Sequence, residues 1–328
     1  MKKFLRPFSY ILSIALSLII LYLAFSRSNI DESWQLIKTA NYWFLVPVLL
    51  CSLGGNIIRA LRWKLLLPDH KVATTSLLLS NLAAYCVNYG IPRLGEFTRC
   101  WVIQKREKIS FGEIAGTVII ERLVDIISLL LIVISVILLK QEQFSLLYQT
   151  HFSASIQVLF TELSNKPIYI TAFLLFTLLF VVFLFIFRKK ILTFFNNIQF
   201  FNSLLKGLKS CLEIEHRKSF LLYTILIWIS YFGTSYFVFF AVDEGSSLPL
   251  EAGMAVLAFG SIARTIPMSA GSAGLYHIVV IYTLSLYGLS QSPAEAIAIL
   301  IHGVQMLFFI FTGGASLLFL AIENKTKD

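Results

Sequence analysis

Apolar stretches long enough to cross a hydrocarbon core of roughly 30 Å, about 20 residues each, recur along this chain between short basic or polar segments. Residues 8–26, 42–66, 111–139, 168–187, 220–242 and 294–321 predict six membrane-crossing helices. Two further apolar runs are interrupted. The run 74–87 is too short to cross before it meets the polar, helix-breaking stretch 88–95, and the run 254–286 is broken by PMSAGSAG at 267–274. Pro92 removes a backbone donor, and Gly90 and Gly95 weaken helix on either side, so 88–95 is expected to be an unwound point at membrane depth. Such backbone persists in a membrane only inside protein or around a wet cavity.

Basic residues orient these elements. Lys2, Lys3 and Arg6 precede the first run, Arg59, Arg62, Lys64 and Lys71 mark the end of the second, and Lys325 and Lys327 follow the last. Both termini are therefore expected in the cytoplasm. Residues before 74 and after 98 are basic, which predicts a re-entrant helical hairpin entering and leaving on the cytoplasmic side. After Arg188, Lys189 and Lys190, the segment 191–219 alternates basic residues with Phe194, Phe195, Phe200 and Phe201, the pattern of a surface-lying amphipathic helix. The fold expected is an all-α polytopic membrane protein, six transmembrane helices plus two re-entrant hairpins. Its two halves, about 8–139 and 168–321, form an inverted repeat of the kind that builds a midplane transport site. The same interval separates Glu96 from Glu121 and His277 from His302. Two ordinary crossings over 254–286 would leave the C-terminus on the same side, so the pattern leaves both arrangements open there.

Composition narrows the class. Of 328 residues 57% are hydrophobic and 14% charged, with a mean hydropathy of +0.79, which excludes an ordinary soluble domain. No polar stretch is long enough for an added soluble domain, so 1–328 is expected to be a single membrane domain. Cys51, Cys86, Cys100 and Cys211 show no disulfide or metal spacing, and no nucleotide or zinc motif is present. The expectation is no cofactor, no metal and no nucleic-acid partner.

Candidate chemistry lies where charge meets apolar sequence. Glu121, Arg122 and Asp125 fall inside the run 111–139, where each ionised group costs roughly 2.5–3.5 kcal/mol on insertion scales. Their spacings of three and four bring side chains together on a helix, so they can neutralise one another. They can line a head-group path or form an ion network that only clips helices together. Asn88, Pro92, Arg93, Gly95, Glu96 and Arg99 belong to the first break. Their charges can grip a lipid phosphate or snorkel to the inner surface. Arg264, Pro267, Gly271 and Gly274 mark the second break, with His277 and His302 as isolated histidines in apolar runs. Glu96, Glu121, Asp125 and His277 are groups able to carry a proton.

NYGIPRLGEFTRC followed by TVIIERLVD, and later RTIPMSAGSAGLYH, resemble the paired signature of the lysylphosphatidylglycerol synthase transmembrane-region family, the flippase-like domain of bacterial multiple peptide resistance factors. The resemblance spans nearly the whole chain. It implies a multi-pass protein of the bacterial inner membrane that moves, or helps to move, a phospholipid or lipid-linked head group between leaflets. Where the family's second signature has P-G-G-L-G and then a glutamate, this chain has AGSAG and His277, and His302 stands where relatives commonly carry an arginine. The sequence ends seven residues after Ala321, so the aminoacyltransferase domain of the resistance factors, and enzyme activity, are not expected. The competing expectation is an accessory or scaffold subunit serving a separate lipid-modifying enzyme or glycosyltransferase.

Overall fold

The computed structural model describes residues 30–139, 199–210, 214–266 and 269–325. The expected spans at 8–26 and 168–187 lie outside these residues, as do Pro267 and the start of the amphipathic segment. Ten α-helices are described: α1 Ile30–Thr39, α2 Leu45–Lys64, α3 Thr74–Gly90, α4 Leu94–Glu107, α5 Phe111–Leu139, α6 Gln199–Lys209, α7 Arg217–Tyr236, α8 Leu250–Thr265, α9 Ser269–Ser285 and α10 Gln291–Lys325. Four segments, Tyr42–Lys64, Phe111–Leu139, Arg217–Ala241 and Gln291–Glu323, are long and apolar enough to cross a membrane. They coincide with four of the six expected spans, and the molecule is a multi-pass helical membrane protein.

The burial pattern follows from lipid as the solvent. Leu50, Leu53 and Ile57 of α2, and Ile126, Leu130 and Ile134 of α5, are exposed, whereas Arg59, Arg62, Arg99 and Glu121 are buried. In water such exposed apolar surface would be disfavoured by about 25 cal/mol per Å²; against acyl chains it is neutral. α2 packs on α7 and α3, α10 on α3 and α9, and α5 on α4, α6 and α8. One apolar cluster joins Val48 of α2 to α1, α9 and the start of α10. A second joins Ala60 and Trp63 of α2 to the start of α3, the end of α4 and Ile114 of α5. Between them α2 buries Ser52, Asn56 and Arg59.

Both breaks are narrower than expected. α3 runs through Asn88 to Gly90, and only Ile91, Pro92 and Arg93 are non-helical before α4. Pro92 cannot continue the helix, and Arg93 turns the chain with left-handed backbone at φ 66°. Asn88 is therefore a helix residue, and its Oδ1 accepts the Gly95 N–H at 2.7 Å, satisfying one of the free donors at the start of α4. Gly95 is required by close approach: a Cβ there would lie 2.2 Å from the Ala84 carbonyl oxygen. α8 and α9 form a second packed helical pair. Gly271 and Gly274, expected to be unwound, lie within α9. Here Ser272 is left-handed at φ 61°, and its hydroxyl donates to the Ile266 carbonyl at 2.6 Å.

Other differences have local causes. The segment after residue 29 forms the amphipathic α1, fastened to α10 where Ser33 donates to Glu295 at 2.7 Å and Ser292 to Glu32 at 2.8 Å. The helical part of the amphipathic segment ends at Lys209, and α7 begins at Arg217, inside the expected range 191–219. α6 docks on α5 through Gly207 and Gly116, where a Cβ on Gly207 would lie 2.0 Å from the Glu113 carbonyl oxygen. Lys206 lies 3.0 Å from both Asp69 and Glu113, and these hydrogen bonds raise its ammonium pKa above the ordinary lysine value.

Candidate functional site

The acids of α5 are neutralised from other helices. Glu121, with no exposed surface, faces Arg59 at 3.8 Å and Arg62 at 3.5 Å from α2, and Arg99 from α4. Asp125, one turn further along, bridges Arg62 at 2.7 Å and Arg59 at 3.2 Å. Arg122 points to the hairpin and pairs with Glu96, which also lies 3.8 Å from Arg99. The expected mutual neutralisation of Glu121, Arg122 and Asp125 is thus replaced by interhelical pairing. Four guanidinium groups face three carboxylates, leaving one positive charge in excess.

Arg59 and Arg62 correct the sequence-based assignment most plainly. Their positions near the end of a span suggested loop charges, yet they are 3% and 0% exposed. On α2 the residues Ser52, Asn56, Arg59 and Trp63 share one face at spacings of three and four. Arg59 Nη1 donates to the Tyr231 hydroxyl at 2.9 Å and Arg62 Nη1 to Thr224 Oγ1 at 3.3 Å, both on α7. The Arg99 guanidinium lies 3.8 Å above the Trp63 ring, and Trp63 Nε1 donates to Thr117 Oγ1 at 2.9 Å. These contacts supply what a buried guanidinium needs, opposite charge plus hydrogen-bonding or π partners. A clue in the sequence was the spacing of Arg59 and Trp63, a turn apart on one face.

A second cluster lies beside the second break. Arg264 Nη1 donates to Gln305 Oε1 at 2.6 Å, and its guanidinium sits 4.1 Å over the Tyr276 ring. The rings of His277 and His302 are 5.2 Å apart, with Tyr276 5.5 Å from His302. His277 Nδ1 donates to the Ala273 carbonyl. Tyr89, at the end of α3, reaches His302 edge-on at 6.4 Å. One turn earlier Tyr85 lies beside Tyr231, the partner of Arg59. Two successive tyrosines of α3 therefore join the arginine–carboxylate network to the histidine cluster.

Of the expected site residues, Glu96, Arg99, Glu121, Arg122 and Asp125 meet in one network, and Arg264, His277 and His302 in the other. Asn88, Pro92 and Gly95 shape the hairpin tip. Arg93 is exposed there and, among the described residues, enters none of these ion pairs. Gly271 and Gly274 contribute helix backbone to α9. Arg59, Arg62, Tyr85, Tyr89, Tyr231, Tyr276 and Gln305 join the clusters without having been singled out. Among the described residues no group of three or more metal-ligating side chains occurs.

Comparison with curated proteins and with solved structures finds no match. The family profile of the lysylphosphatidylglycerol synthase TM region extends over residues 10–313, and so takes in both hairpins and both polar clusters. A buried charge network at one helical break, a cationic and imidazole cluster at the other, and this nearly complete match have one conclusion: the chain belongs to the lysylphosphatidylglycerol synthase TM region family.

Proposed function

We propose that the protein is a lipid translocator that carries a polar head group between leaflets along the polar seam of α2, α3, α5 and α7, while the acyl chains remain in the bilayer. The observation that carries this reading is the arginine-rich network buried between helices whose outer faces suit lipid. Its excess positive charge suits an anionic phosphate, which arginine grips bidentately. Tyr85 and Tyr89 of α3 set hydroxyl-bearing rings between this network and the histidine pair, two stations for one charged group. A family named for a phosphatidylglycerol lipid agrees with a lipid cargo.

The topology that supports such movement has α3–α4 and α8–α9 as re-entrant hairpins entering from opposite sides, with 8–26 and 168–187 as further spans. Both termini are then cytoplasmic, in a bacterial inner membrane. The two halves are inverted repeats, and alternating exposure of the seam needs no nucleotide motor and no cofactor. In this reading the chain is not an enzyme.

Transport by purified protein in vesicles tests the reading. Parental protein should accelerate exchange of a fluorescent phosphatidylglycerol between leaflets, and Arg264→Gln should slow it at least about tenfold while retaining the parental unfolding temperature, because Arg264 is partly exposed and one of its contacts is a neutral amide. Folded parental protein that moves no lipid would refute translocation and favour an accessory role beside a separate lipid-modifying enzyme.

A further inference from the structure

The titratable side chains inside this protein differ in what an added proton does to its charge balance. Each acid of the arginine network faces guanidinium groups: Glu121 those of Arg59, Arg62 and Arg99, Asp125 those of Arg59 and Arg62, and Glu96 those of Arg122 and Arg99. Glu96 Oε2 takes no hydrogen bond among the described residues, yet it is the oxygen 3.8 Å from Arg99. A proton on any of the three acids would leave two uncompensated guanidinium charges in place of one, which burial opposes. Glu295 of α10 is buried and accepts from Ser33 of α1 at 2.7 Å and from Gln291 at 2.8 Å. It stands two turns, about 10 Å, before His302 on the same helix. Glu32 of α1 is bonded by Ser292, further still toward the start of α10.

The histidine pair is placed differently. His277 and His302 are 6% and 4% exposed, with ring centroids 5.2 Å apart on helices that pack side by side. His277 Nδ1 donates to the Ala273 carbonyl, so in the neutral ring Nε2 is the nitrogen that gains a proton. The pair is faced by Arg264 from α8, Tyr276 from α9 and Tyr89 from α3. Arg59 and Arg62 of α2 and Tyr231 of α7 belong to the other network. An imidazolium at this pair stands beside the Arg264 guanidinium, and two would add their own repulsion, so the pair takes one proton at most. An anion seated on the partly exposed Arg264 removes the first repulsion. We infer that translocation is coupled to protons: the His277–His302 pair takes up one proton as an anionic phosphate seats on Arg264, and releases it with that phosphate at the opposite face. The proton joins and leaves an imidazole nitrogen, and no other covalent bond changes. One proton and one singly charged phosphodiester cross as a neutral pair, which avoids carrying net charge through the membrane. By linkage the proton raises affinity for the anion by the same factor as the anion raises affinity for the proton, and the lipid is driven toward the more alkaline side. The Ala273 carbonyl follows left-handed Ser272, so the added charge strengthens a hydrogen bond at the turn of the second break. This inference rests on the translocator reading and supplies its energy source.

Lipid distribution under a pH gradient tests it. Purified protein is placed in vesicles with a trace of phosphatidylglycerol carrying a fluorescent acyl chain, the membrane potential is clamped with valinomycin and potassium, and quenching counts the label in each leaflet. At equal pH the label should divide evenly. With the outside about 1.5 pH units more acidic than the lumen, parental protein should enrich the lumenal leaflet at least about threefold, within the roughly thirtyfold limit that one proton sets for such a gradient. The double variant His277→Asn with His302→Gln should leave the label evenly divided under the same gradient, whereas Glu295→Gln should keep the enrichment. Even division by parental protein that exchanges the label overturns the inference and leaves the translocator reading standing. Enrichment retained by the double variant, or lost in Glu295→Gln, overturns it as well. Folded parental protein that exchanges no label at either pH defeats the translocator reading and this inference together. If the double variant does not fold, ring-carbon NMR decides, in protein whose other three histidines are replaced by His70→Gln, His151→Gln and His216→Gln. Phosphatidylglycerol added at fixed pH should move one of the two remaining rings from the neutral to the imidazolium position, and unchanged rings overturn the inference.

Discussion

Glu121→Gln isolates the central charge of the molecule. Glu121 has no exposed surface and lies 3.5 Å from Arg62 and 3.8 Å from Arg59, with Arg99 closer still. At an effective dielectric constant of about 20, each of the two measured pairs contributes roughly 4–5 kcal/mol of attraction, offset by the cost of removing the ions from water. The amide keeps the shape but loses the charge, and four guanidinium groups then face two carboxylates. Breaking a buried pair in this way costs about 3–5 kcal/mol. The double change Glu121→Gln with Arg99→Gln restores the original charge excess, and Glu96 keeps Arg122 as its partner. It should therefore be less destabilised than the sum of the single changes by about 1–3 kcal/mol. Arg122→Gln supplies the contrast: its pair with Glu96 is 45% and 35% exposed where Glu121 has no exposed surface, so its loss should cost less than that of Glu121. Reversible unfolding in mixed detergent–SDS micelles measures all four free energies. Dye labelling of buried Cys100 gives an independent reading of opening. If Glu121→Gln costs under about 1 kcal/mol, or the double variant equals the sum of its singles, the network does not hold these helices as described.

Two further outcomes follow from local geometry. Gly95→Ala should destabilise the α3–α4 hairpin by about 1–3 kcal/mol through overpacking, because its Cβ would lie 2.2 Å from the Ala84 carbonyl, whereas Gly90→Ala meets nothing within 4 Å and should be close to neutral; the same unfolding assay compares them. The hydrogen bonds of Lys206 to Asp69 and Glu113 raise its pKa from 10.5, so their support for α6 is complete below pH 10.5 and is lost as pH rises through the higher folded value. A spin-label distance between α6 and α5 should stay constant up to about pH 10 and lengthen above it, and Lys206→Gln should lengthen it at neutral pH.

The apolar periods and their interruptions determined where helices form, because lipid accepts only segments that satisfy their own backbone hydrogen bonds, and Pro92 cannot do so. They also marked Glu121, Arg122 and Asp125, because charge within a long apolar run is costly enough to signal a partner. Which partner was decided by tertiary structure. Arg59 and Arg62 read as end-of-span charges because a one-dimensional pattern records distance from the end of a run, while burial depends on how α2 is rotated against α3, α5 and α7. Asn88, Gly271 and Gly274 read as helix breakers because their intrinsic propensities are low, yet each stays helical. At the first break, the Asn88–Gly95 hydrogen bond and the close approach of α4 to Ala84 confine the unwinding to three residues. His277 and His302, isolated in sequence, meet because α9 and α10 pack side by side. Composition and period measure the free energy of taking each segment out of water; the register and rotation of the packed helices determine which of its polar groups then meet.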